Sequence, residues 1–136
     1  MLALLVLLTT AWALRTAWRH RRGRRFVREA QRRAHRLWRD FERDRDGALL
    51  AKSLLVLVRQ TARATPLQQT SAALPAAELL GLIDAASKGR LSADLAPDRI
   101  AGLLYTPAPD ALSEREARAL FQATRDWIRR TGSAPW

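Results

Sequence analysis

The chain has 136 residues, a formal net charge of +11, 48% hydrophobic residues, two histidines and no cysteine. A disulfide framework, a thiolate metal site and a cysteine nucleophile are therefore excluded, and the length allows one small domain beside any anchoring segment. The charge is local: residues 1–46 hold thirteen arginines against five acids, while residues 47–136 hold eleven basic residues against eight acids.

Residues 1–22 read as an anchor with a basic flank. Met1 to Leu14 carry no charge, and Arg15, Arg19, Arg21 and Arg22 follow, continued by Arg24 and Arg25. A cleavable secretory signal has its positive charges before the apolar run and a small-residue cleavage site after it, and neither is present. Apolar first and basic second predicts a single-pass transmembrane helix whose flank stays on the cytoplasmic side of a bacterial inner membrane, with the amino terminus outside. The fourteen uncharged residues span roughly 21 Å as a helix, less than the roughly 30 Å hydrocarbon core. Extending the span through Trp18 requires Arg15 to snorkel and Trp12 and Trp18 to lie at the interface. Arg19, Arg21 and Arg22 then meet anionic lipid headgroups.

Residues 23–46 form an arginine-rich amphipathic juxtamembrane helix, continuous with the anchor or separate from it. Phe26 or Val27, Ala30, Ala34, Leu37 or Trp38, and Phe41 recur every three or four residues. Acids return at helical spacing, pairing Glu29 with Arg33 and Arg36 with Asp40. The same stretch supports an alternative, an arginine-rich nucleic-acid-binding protein tethered at the membrane, because Phe26, Trp38 and Phe41 interleave with the arginines.

Residues 47–132 form a small helical domain and residues 133–136 a tail. The stretch from Asp44 to Gly47 makes a turn, after which Leu49, Leu50, Leu54, Leu55, Val56, Leu57 and Val58 give a central core helix. Lys52 and Arg59 bracket that run, which is too short for a second span, and Pro66 stops it by restricting Thr65. Pro75 opens a third helix with Ala76, Leu79, Leu80 and Ile83 inward, capped at Lys88 and Gly89. A short helix is expected from about Pro97 to Leu104. Ser113 and Glu116 make a capping box for the last helix, whose stripe is Ala117, Leu120, Phe121, Thr124, Trp127 and Ile128, ending at Thr131 and Gly132. Hairpin patterns are missing, so the fold class is all-α: the transmembrane helix and a cytoplasmic bundle of about four to five helices.

The residues give no catalytic, cofactor-binding or metal site. His20 and His35 sit among arginines, which disfavours metal binding, and both read as surface residues. Glu42, Asp44, Asp46 and Gly47 imitate the start of a calcium loop, but its ninth and twelfth positions fall on Leu50 and Ser53. A phosphate loop, a nucleophile elbow and a paired-histidine protease motif are missing as well. The expectation is a protein that is not an enzyme.

A resemblance to a known family rests on spaced strings. The basic-flanked anchor, the Leu49 to Val58 helix with Arg59 to Ala64, Leu74 to Asp84, Leu103-Leu104-Tyr105-Thr106-Pro107, and Ala123 to Arg130 with Trp127-Ile128-Arg129 resemble domain-of-unknown-function family 4381 over residues 1–130. The resemblance implies membrane proteins encoded beside a MoxR-type AAA+ ATPase and von Willebrand factor A membrane proteins, and an accessory or scaffold role in assembling complexes. Members carry a Pro- and Trp-rich segment before the anchor, which with the short span implies that the natural chain starts upstream of Met1. They also often carry a Ser-Gly and a Trp where this chain has Ala73-Leu74-Pro75 and Leu79. Tyr105, Pro107 and Trp127 are the candidates for partner contact; Trp127 lies on an apolar stripe and reads as core ahead of interface.

Overall fold

The computed structural model describes residues 1–94 and 112–133. Among them every element is helical and no strand occurs. The helices are α1 (Leu2–Asp44), α2 (Gly47–Ala64), a 3-10 helix (Pro66–Ala73), α3 (Ala76–Ala86), α4 (Arg90–Asp94) and α5 (Glu114–Ser133).

The two stretches that the sequence suggests as an anchor and a juxtamembrane helix, residues 1–22 and 23–46, are one continuous helix as far as Asp44. With 43 residues, α1 extends about 64 Å. From Leu2 to Arg22 no residue is buried, whereas from Gly23 onward one face packs through Ala30, Ala34 and Phe41 against α2 and α5. The helix stops where Arg45 turns left-handed, with φ of 56°, and donates its N–H to the Phe41 carbonyl at 2.7 Å. One residue later Asp46 caps α2, its side chain accepting from the Leu49 N–H at 3.1 Å. Reversal of the chain between two long helices thus takes two residues, and Gly47 allows it: a Cβ there would lie 2.6 Å from the Leu112 Cβ.

The apolar run of α2 buries Leu50, Leu54, Leu55, Leu57 and Val58, while Leu49 and Val56 stay 53% exposed. It contributes more buried residues than α3 without being the centre of the bundle. That place belongs to α5, which packs against α1, α2, α3 and α4. Ser113 and Glu116 form the capping box at its start: the Glu116 N–H donates to Ser113 Oγ and the Ser113 N–H to Glu116 Oε1, both at 3.2 Å. The whole stripe Ala117, Leu120, Phe121, Thr124, Trp127 and Ile128 is buried.

After Thr65 the chain enters the 3-10 helix, an element that the hydrophobic pattern does not announce. Arg59 holds it by donating from Nη1 to the carbonyls of Ala72 at 2.9 Å and Leu74 at 2.8 Å. The third helix begins after Pro75, buries Leu79, Leu80 and Ile83, and ends in a Schellman arrangement. There Gly89 N–H donates to the Asp84 carbonyl and Lys88 N–H to that of Ala85, with both Lys88 and Gly89 at positive φ. The short α4 follows at Arg90 and is a further addition; the helix expected from Pro97 to Leu104 lies outside the described residues.

Candidate functional site

Two surfaces stand out once the helices are in place. The first is the amino-terminal half of α1. Leu2, Leu4, Leu5, Val6, Leu7, Leu8, Trp12, Leu14 and Trp18 are all exposed, on every side of the helix. Its hydroxyls are turned back on the helix: Thr9 donates to the Leu5 carbonyl at 2.9 Å, Thr10 to Val6 at 2.7 Å and Thr16 to Trp12 at 2.9 Å. The segment therefore offers its surroundings an apolar surface with few polar groups left unsatisfied. Arg15, Arg19, Arg21 and Arg22 are exposed along the next turns, and the Arg22 guanidinium lies 5.6 Å from the centre of the Trp18 ring. Among the described residues, no helix is long and apolar enough to cross a membrane.

The second surface is a groove between α1 and α2. Its wider part, about 390 Å³, is lined by Arg33, Arg36 and Leu37 on one side and Lys52, Ser53, Val56, Leu57 and Gln60 on the other. It continues past Leu37 and Ser53 toward the α1–α2 turn, where Asp40, Asp44, Asp46 and Leu49 join the lining. The arginine pairing differs from the simplest sequence spacing. Glu29 receives both Arg33, at 3.5 Å, and Arg36, at 3.3 Å, while Asp40 pairs with Arg43 instead of Arg36. A run of arginines outnumbers its acids, so each acid settles between the cations its rotamer reaches.

Of the aromatics interleaved with arginine in the sequence, Trp38 and Phe41 turn toward the bundle, with the Arg118 guanidinium 5.8 Å from the centre of the Trp38 ring and that of Arg45 5.7 Å from the Phe41 ring. Trp38 stacks on Phe121 at 5.0 Å and Phe41 is 4% exposed, both on the face of α1 that meets α5. Trp127, also 4% exposed, is a core residue, so its ring is closed to a partner. Tyr105 and Pro107 lie outside the described residues. His35 is exposed and meets the edge of Phe121 at 5.5 Å; His20 is exposed on α1. Asp46 is occupied as a helix cap and Asp40 by Arg43, and among the described residues no group of three or more His, Cys, Asp or Glu could hold a metal ion. The residue that sequence reasoning undervalued is Val56, placed inside the core run yet open to the groove; only its seven-residue spacing from Leu49 hinted at a shared outer face.

Neither a curated protein nor a solved structure matches the chain. The family model described as Domain of unknown function (DUF4381) matches residues 1–130, nearly the entire length, and the chain belongs to that family.

Proposed function

We propose that this protein is a single-pass, membrane-anchored adaptor. Its amino terminus lies outside the inner membrane, and its helical domain works in the cytoplasm by protein contact. The observation that carries the reading is the all-round exposure of the apolar residues from Leu2 to Leu14, directly ahead of an arginine flank. Docking on another protein would use one side of a helix, whereas lipid covers every side. The threonine hydroxyls bonded to carbonyls of the preceding turn suit a medium without water. Bridging the bilayer takes the helix through Trp18, about 26 Å from Leu2, with Arg15 reaching the headgroups. Partners in this reading are a MoxR-type AAA+ ATPase and von Willebrand factor A membrane proteins, the system that the family resemblance implies.

The test has two parts. Membranes washed with alkaline carbonate should retain the full chain, and a cysteine replacing Leu2 should react with an impermeant maleimide in intact cells, while one replacing the exposed Ala85 should react only after lysis. Extraction by carbonate would remove the anchor, and the reverse labelling would overturn its orientation. Purification in mild detergent should bring down the ATPase or a von Willebrand factor A protein, and recovery of neither would remove these two as partners. Titrating the same detergent-solubilised chain with duplex and single-stranded nucleic acid at physiological salt addresses the tethered nucleic-acid binder; binding tighter than micromolar with a steep salt slope would favour it. The inward packing of Trp38 and Phe41 supports the adaptor, because it leaves those rings unavailable for base stacking.

A further inference from the structure

We infer that the groove between α1 and α2 is the docking site for an acidic amphipathic helix of a partner protein. This inference rests on the adaptor reading and names the surface that would perform it. Beyond the amino-terminal half of α1, Leu49, Val56 and Leu82 are the large hydrophobic residues that stay exposed among the described residues. Two of these three belong to the groove. Leu49 and Val56 stand two turns apart on one face of α2, and with Leu37 and Leu57 they make an apolar floor. That pattern matches the apolar stripe of a helix laid along it.

Charge selects the occupant. Arg33 and Arg36 share one carboxylate, Glu29, and Lys52 on the opposite rim has no ion-pair partner among the described residues. The wide end of the groove therefore carries more positive than negative charge and favours a helix with carboxylates flanking its apolar stripe. A second copy of this chain is a poor occupant, because its own net charge is +11. An extended strand fits no better: both walls are helices whose backbone groups are already bonded, so they offer no ladder edge. The narrow end has Asp40, Asp44 and Asp46, of which Asp40 holds Arg43 and Asp46 caps α2. This acidic end favours the positive amino-terminal pole of the docked helix, so the partner helix runs from the α1–α2 turn toward Arg33, parallel to α2. From Arg33 to Asp44 the trough is about 17 Å long, enough for three turns.

The experiment uses the full chain in nanodiscs of uncharged phosphatidylcholine and two fluorescein-labelled 14-residue model helices, read by anisotropy against protein-free discs. Both peptides carry leucine along one face; the flanking positions are glutamate in one and lysine in the other. The glutamate peptide should bind with micromolar affinity and the lysine peptide at least tenfold more weakly. Val56→Asp should weaken the glutamate peptide at least tenfold, whereas Leu82→Asp, the exposed leucine outside the groove, should leave it unchanged. The pair Arg36→Glu and Lys52→Glu should reverse the preference between peptides. All of these positions are solvent-exposed, so the variants keep the core intact. Absence of saturable binding, equal binding of the two peptides, or a preference that survives the double charge reversal would overturn the inference. Peptide binding in a chain that recovers no ATPase would keep the groove and retire only the named partners.

Discussion

Gly47 and Gly81 are both helical, and their surroundings reverse what an alanine would do. At Gly81, in the middle of α3, nothing lies within 4 Å of the position a Cβ would take. Gly81→Ala should therefore stabilise the domain by about 0.5–1 kcal/mol through the ordinary helix preference. At Gly47 the added methyl meets Leu112 Cβ at 2.6 Å, a distance that side-chain rotation cannot relieve because a Cβ is fixed to its own backbone. Overpacking should outweigh helix preference, and Gly47→Ala should cost about 1–3 kcal/mol. Urea denaturation of the two variants checks the opposite signs, and a stabilised Gly47→Ala would contradict the close packing at the α1–α2 turn. The sequence marks both as glycines in or beside helices; the neighbour that separates them, Leu112, is 65 residues from Gly47 in the chain.

Elements with local signals were legible. The box of Ser113 and Glu116 starts α5 because both of its hydrogen bonds close within three residues. Thr65 and Pro66 end α2 for an equally local reason, since proline restricts the residue before it. The 3-10 helix has no such signal. Its polar stretch Gln68, Gln69, Thr70 and Ser71 has no strong periodicity, and its end is tied by Arg59 from a different element. Two charge-assisted bonds to carbonyls make that tie worth testing. Arg59→Met keeps most of the stem and removes both donors, and should lower stability by about 2 kcal/mol in chemical denaturation. A loss indistinguishable from zero would show that the 3-10 helix holds to α2 by apolar contact alone. Continuity of α1 was likewise open in the sequence, because one glycine at position 23 fits either a break or a helix that continues.

At the scale of the molecule, the proposed anchoring would give α1 two environments in succession. Its first half shares no buried residue with the bundle, and its second half contributes Ala30, Ala34 and Phe41 to the core. Anchoring and folding should consequently separate under mutation. Leu8 is 63% exposed, so Leu8→Arg removes no core contact. In the membrane an arginine near the centre of the span is unfavourable by about 3 kcal/mol, over a hundredfold in partition. The variant should leave the membrane fraction while the helical domain keeps its melting temperature; a membrane fraction that stays constant would argue that the apolar half is covered by something other than lipid. The all-α class, the apolar start and its arginine flank, the turn at Asp46 and the stripe of α5 can all be read from residue order, because composition, capping and periodicity act over a few neighbouring residues. Tertiary packing was needed to show that α1 is one continuous rod, that α5 is the centre of the bundle, that Trp38 stacks on Phe121, and that Val56 opens on a groove. Those outcomes depend on which faces meet, and burial is settled by residues far apart in the chain.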